Sequence, residues 1–258
     1  MTYVDVKALR DSGFLARLAG SRAIEEPEYQ KFVSETHFDY QKDIDALAAA
    51  AIPGQLFVVL RGRFDWKTLS QYVRDHGGRC NNSYCQVPTG KAGHWASFLP
   101  IRSNLMGLAF SSDPSSAYMI TRHGKMPRLE IPSQPLWVSL PHRVLDHPAN
   151  LPPGAQSFAI ALSGANRVTL SLAAPPDAGG GLTLQLAAHC DSPEQAKGVQ
   201  QHLAEITTML KGALSQAKQA PNSADLTGVL SSGTFQQFDR DVKGQWQISS
   251  AFVDAIAH

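Results

Sequence analysis

Along Leu56–Phe64 the even positions Leu56, Val58, Leu60, Gly62 and Phe64 are apolar, while the odd positions pass from Phe57 and Val59 to Arg61 and Arg63. Alternate side chains of a strand lie on opposite faces, so this run predicts a strand with one apolar face and one that turns cationic. Its β-branched and aromatic content agrees. The period then changes. Asp65 stands where a helix N-cap belongs, Trp66, Leu69 and Val73 recur at helical spacing, and Gly77-Gly78 supplies a positive-φ stop.

The same strand–cap–helix pattern returns three times. Leu105–Ser112 predicts a strand, and Asp113-Pro114 a helix start with proline at its favoured first position. Leu182–His189 predicts another strand, with Ser192-Pro193 opening a helix to about Lys218. The stripe Ala196, Val199, Leu203, Ile206, Leu210, Leu214 on that helix reads as a core face, with a coiled-coil partner as the alternative. A hairpin of Thr234–Phe238 and Gln245–Ile248 about Lys243-Gly244 precedes a last helix capped by Ser249 or Ser250.

The remaining segments fill in around these units. Tyr3, Val4 and Val6 predict a first strand, and Asp11 or Ser12 caps a helix to Ala19. Further helices are expected over Glu25–Glu35, Phe38–Ala51 and Leu136–Leu145, and further strands over Tyr84–Pro88, Trp95–Ile101, Ser157–Leu162 and Val168–Ala173. The turn-rich stretch 126–134 reads as a linker. The expected fold is α+β: two ferredoxin-like halves, 1–125 and 135–258, each an antiparallel sheet with helices packed on one face.

Composition narrows function mostly by exclusion. A hydrophobic content of 43%, a charged content of 17% and a net charge of +1 give no global field to draw nucleic acid or an anionic membrane. No window approaches the ~18 consecutive apolar residues of a membrane span. The N-terminal MTYVDVKALRDSG lacks the basic start and apolar core of a signal peptide, which leaves a cytoplasmic protein or one whose export signal has been removed. Cys80 and Cys85 bracket a turn-like Asn-Asn-Ser-Tyr, and a disulfide between them is geometrically reasonable if they face each other. So short a loop stabilises by only about 2 kcal/mol. Such bonds persist in oxidising compartments, which favours export, and Cys190 is left as a buried thiol.

Four features occur together: TxFDYxxDID at Thr36–Asp45, the segment FVVLRGRFDWKTL, the C-x4-C pair and a strand ending Ser-Ser-Asp. As a set they resemble uncharacterised exported bacterial proteins built from two α+β repeats, often anchored at the membrane by an N-terminal segment. The resemblance covers mainly residues 1–125. It implies export and brings no activity and no site residue, and the absence of an export signal here departs from it.

Candidate sites are few. Arg61 and Arg63 on one sheet face would suit a carboxylate or phosphate, with ion pairs to Asp39, Asp43 or Asp45 as the structural alternative. Cys80, Cys85, His189 and Cys190 contain metal-ligating types, but His189 and Cys190 are adjacent and would face opposite ways on a strand. The same objection meets a His189–Cys190 catalytic dyad. The sequence carries no G-x-S-x-G, H-E-x-x-H or S-x-x-K, and its Gly77-Gly78 and Gly179–Gly181 stretches lack phosphate-loop partners. No metal and no cofactor is therefore expected, and the basic and aromatic signature of a nucleic-acid reader is missing. The expectation is a non-enzymatic binding or interaction module, periplasmic or extracellular, for an unknown protein or small ligand. The alternatives are a small-molecule enzyme with its site between the halves, and a cytoplasmic location.

Overall fold

A β-hairpin with a long uncharged centre organises the first half of the chain. From Ala46 through Leu60 no residue carries a charge, and this stretch forms all but the outer ends of β2 (Ile44–Ile52) and β3 (Gln55–Gly62) about a Pro53-Gly54 turn, with Gly54 at φ 75°. The computed structural model describes residues 1–15, 27–121, 132–145, 153–173, 181–218 and 220–257. The chain divides into two compact units, Met1–Ile131 and Pro132–His258. Residues 126–131 of the expected linker, and the far end of the helix expected to reach Ala19, lie outside the described residues.

In the first unit β1 (Thr2–Val4) precedes α1 (Val6–Asp11), α2 (Pro27–Thr36), the single turn α3 (Tyr40–Asp43), β2 and β3. Then come α4 (Trp66–Asp75), β4 (Arg79–Asn81), β5 (Tyr84–Pro88), β6 (Trp95–Arg102), β7 (Leu105–Ser111) and a 3-10 turn at Ser116–Thr121. The strand order is β1-β2-β3-β7-β6-β5-β4, with every neighbouring pair antiparallel. Asp65 caps α4 by accepting from the backbone of Lys67 and Thr68, and its depressed pKa follows first from the Thr68 side-chain hydrogen bond. Gly77, at φ 77°, ends the chain's helical course. One side of the sheet packs Leu60, Met106 and Phe98 against Leu69 and Val73 of α4.

The second unit runs β8 (Leu136–Pro141), α5 (His142–Leu145), α6 (Pro153–Ala161), β9 (Arg167–Ala173), β10 (Leu182–His189) and α7 (Pro193–Gln216). It closes with α8 (Leu226–Ser231), β11 (Thr234–Phe238), β12 (Asp241–Ile248) and α9 (Ser250–Ala257). Its strand order is β11-β12-β10-β9-β8, again antiparallel throughout. Leu186, Val168, Val242 and Trp246 form the sheet side of its core, and Ala196, Val199 and Leu203 of α7 form the helical side.

The two units share one wiring rule. A strand, helices and a two-stranded hairpin are followed by a helical crossover, after which the chain returns and inserts its last strand beside the hairpin (β7 beside β3, β12 beside β10). The first unit adds two strands to this plan. The rule departs from the expected ferredoxin-like halves, in which both helical connections would span an interposed strand. Here β1–β2 and β8–β9 are direct antiparallel neighbours, so only the second connection does. Nor are helical turns confined to one face. The 3-10 turn packs on the side opposite α4, where the Ala117 amide donates to Ser97 Oγ and Ile120 lies beside Gly107.

Several expected elements take another form. Phe38–Ala51 is not a helix: Asp39 caps one turn and the alanine run becomes β2, because pairing to strands on both sides outweighs alanine's helical preference. Leu136–Pro141 is a strand with Leu136, Val138 and Leu140 toward the core side. Ser157–Leu162 falls in α6 and the turn that follows it. Val6 begins α1, capped by Asp5. The last hairpin turns at Asp239-Arg240, with Asp239 at φ 51°, and Lys243-Gly244 lies within β12.

Candidate functional site

The Thr36–Asp45 motif is a folding device. Thr36 Oγ1 donates to Phe32 O and accepts from the Phe38 amide, turning the chain out of α2 through His37 at φ 55°. Asp39 then caps α3, accepting from the Gln41 amide and the Tyr29 hydroxyl and pairing with Lys42 at 2.9 Å. Burial acts to raise the Asp39 pKa, but these partners outweigh it and hold the carboxyl below its ordinary value. Asp43 Oδ2 accepts from the Asp39 amide, and Asp43 Oδ1 accepts from Arg63 Nε at 3.1 Å and Nη2 at 2.9 Å. Arg63 Nη2 also donates to the Lys42 carbonyl.

Arg63 therefore lies just past β3, occupied by Asp43. Arg61 stays on β3, exposed, opposite Ala46 and Leu105, and no carboxylate among the described residues pairs with it. Asp45 lies 3.6 Å from Arg10 instead. Gly62, between the arginines, has the backbone of Asp43 against it. The two guanidinium groups do not form a shared clamp in this arrangement.

Cys80 and Cys85 sit opposite each other on β4 and β5 and are joined as a disulfide, with Cα atoms 4.1 Å apart. Neither thiolate is then available to a metal. Cys190 is a free, buried thiol whose pKa burial pushes up, and His189 faces the other way, its Nδ1 2.7 Å from Asp241 Oδ1. A raised thiol pKa and opposite facing both work against a Cys–His pair.

A site without a sequence motif lies on the second unit's sheet, on the face away from α7. Residues there alternate with the core positions: Thr169 and Ser171 on β9, Gln185 and Ala187 on β10, Lys243 and Gln245 on β12, and Thr234 and Gln236 on β11. Together with Pro132 and Gln134 they line a groove of about 480 Å³, and Gln134 Nε2 donates to Gln185 Oε1 at 2.8 Å along one wall. Ala187 leaves a gap in the floor, flanked by Thr169 on one strand and Lys243 on the other. The lining offers amides that both donate and accept, hydroxyls, and Lys243, whose Nζ lies over the Phe238 ring at 5.4 Å from its centroid. Beyond Ala187 the same face carries the row Arg167, His189, Asp241. The Asp241 contact directs His189 Nδ1 into the sheet row and turns Nε2 away from it. The trace of this groove in the sequence is the alternation of Thr183, Gln185 and Ala187 with Leu182, Leu184 and Leu186, which by itself reads as a solvated strand face.

No protein-family model and no curated protein matches the chain. Two crystal forms of TP0453, a bacterial protein, are similar to it in fold. Form IV has 11% identity and a TM-score of 0.47 over 100% of this chain and 92% of that one. Form III has 10% identity and a TM-score of 0.48 over 99% and 92%. At such identities no residue role passes from one chain to the other.

Proposed function

We propose that this chain is a non-enzymatic binding module exported from a bacterial cell, and that its ligand lies on the polar sheet face of the second unit. The observation that carries the reading is the groove over Ala187, walled by side-chain amides and hydroxyls with Lys243 at its side, its ammonium over the Phe238 ring at 5.4 Å from the centroid. Amides and hydroxyls satisfy ligands dense in donors and acceptors, and a single cation adds one charge-assisted hydrogen bond. The ligand class is a hydroxyl- or amide-rich molecule with one negative charge, such as an acidic sugar or the carboxylate end of a peptide.

The test is an NMR titration with uronic-acid oligosaccharides and short free-carboxylate peptides. A binding member is expected to shift amides of β9, β10 and β12, and Lys243→Ala is expected to weaken it by about tenfold, the loss of one charge-assisted hydrogen bond. Shifts confined to other strands, or undiminished binding by Lys243→Ala, would discard the site. Conversion of a ligand by the wild type but not by His189→Ala would replace the module with an enzyme.

Export rests on the Cys80–Cys85 disulfide, since the cytosol keeps such pairs reduced. Among the described residues no helix is long and apolar enough to cross a membrane. In protein made from the native full-length gene and alkylated before lysis, mass spectrometry is expected to find Cys80 and Cys85 unlabelled and linked. Two alkylated cysteines would place the protein in a reducing compartment.

A further inference from the structure

The groove of the second unit does not end at its polar floor. β11 turns Thr234 and Gln236 into it, and Phe238 follows on the same face, about 7 Å farther along the strand at ~3.3 Å per residue. Phe238 is 51% exposed, and the Lys243 ammonium over its ring takes one side of it. β11 is the last strand on its side of the sheet, so no neighbouring strand among the described residues covers the ring there. A single exposed aromatic is ordinary on a protein surface. Phe238 differs because it continues a groove of amides and hydroxyls, and because the lysine that lines that groove is the one seated on its ring.

The cross-strand neighbours of Phe238 choose the occupant. Asp241 stands directly opposite it on β12, and His189 directly opposite Asp241 on β10. His189 Nδ1 engages Asp241 Oδ1, and no described residue donates to Oδ2. A flat apolar ring beside an accepting carboxylate oxygen suits a pyranose, whose C–H face lies on the ring while its rim hydroxyls donate to the oxygen. Asp241 also disfavours a second acid at this end by like charge, so the unit on Phe238 is neutral and the acidic one stays at Lys243. A peptide strand is matched less well. It would call for pockets to take alternate side chains, whereas the groove between Ala187 and β11 is lined by Lys243, Gln245 and Gln236.

We infer that the ligand of this groove is an oligosaccharide of at least two units, an acidic sugar held by Lys243 and the groove amides and a neutral pyranose stacked on Phe238. The inference rests on the groove reading proposed above and narrows its ligand class to the sugar.

Amide-shift titrations with glucuronate and with disaccharides joining glucuronate to glucose test it. The better disaccharide is expected to bind about tenfold tighter than glucuronate, and Phe238→Ala to remove that gain while leaving glucuronate within about twofold. Glucuronate binding itself then reports that the variant is folded. Phe238→Trp, which keeps a flat ring, is expected to restore the gain. No gain in the wild type, or a gain that survives Phe238→Ala, would overturn the inference and leave the groove reading standing. So would a free-carboxylate peptide that binds tighter than every disaccharide. Equal loss of both sugars in Phe238→Ala would also overturn it, since the ring would then serve only to position Lys243. If no sugar and no peptide shifts the amides of β9, β10 and β12, the groove reading falls and the inference with it.

Discussion

Gly62→Ala is expected to destabilise the first unit by about 3 kcal/mol, the upper range for forcing atoms into a packed site. A Cβ at Gly62 would stand 2.1 Å from the Asp43 carbonyl oxygen and 3.1 Å from Ile44 Cα, both backbone atoms with no rotamer through which to escape. The close approach exists because β2 and β3 slip register between Ile44 and Ala46, bringing the end of α3 over the end of β3. The same approach delivers the Arg63 amide to Asp43 O and the Arg63 guanidinium to Asp43 Oδ1. Alanine would thus open the corner and loosen the ion pair together. The check is urea unfolding beside Arg63→Ala, whose exposed guanidinium is worth ~1 kcal/mol or less. A Gly62→Ala midpoint no lower than that of Arg63→Ala would refute the backbone account.

This corner explains what could be read from the sequence and what could not. The alternation in Leu56–Phe64 and the Asp65 cap were visible because strand period, helix period and a capping residue meet at one point. The Cys80–Cys85 pair was visible because a tight turn leaves its flanking residues opposite each other. β2 was hidden, since a run of alanine has no apolar–polar contrast from which to take a period, and only its partners β1 and β3 make it a strand. β8 was hidden for a different reason. Trp137 and Ser139 are buried on the face away from Leu136, Val138 and Leu140, so both faces are covered, and a tryptophan on the second face breaks the apolar–polar alternation that marks a half-buried strand. The groove was hidden because glutamine and threonine on a strand look alike whether they face bulk water or a ligand. Their convergence comes from cross-strand register between β9, β10 and β12, set by residues far apart in the chain.

Trp246→Ala is expected to cost about 4 kcal/mol, within the range for removing a large aromatic side chain from a core. The indole is 4% exposed, with the Phe235 ring 5.3 Å and the Phe158 ring 5.9 Å from it, both edge-on. Phe235 lies on β11 and Phe158 on α6, so one side chain ties the edge of the sheet to the helix laid over it. Two glycines mark the room it requires. A Cβ at Gly233 would come 2.7 Å from Trp246 Nε1, and one at Gly244 would come 2.7 Å from the Phe235 ring. The backbone has been kept bare on both sides of the ring pair, so little nearby can move into the space that alanine would leave. The residual cavity is therefore large and its full cost is felt. Hydrogen exchange by mass spectrometry separates this from general weakening: faster exchange is expected in β11, β12 and α7, with α4 and the β2–β3 hairpin slowed or sped by far less. Since the open face of β12 carries Lys243 and Gln245, the loss should also reach the groove. Trp246→Phe retains most of the volume and should keep ligand binding within a few-fold, so binding lost equally in both variants would mean that the indole has a role in the groove other than packing beneath it.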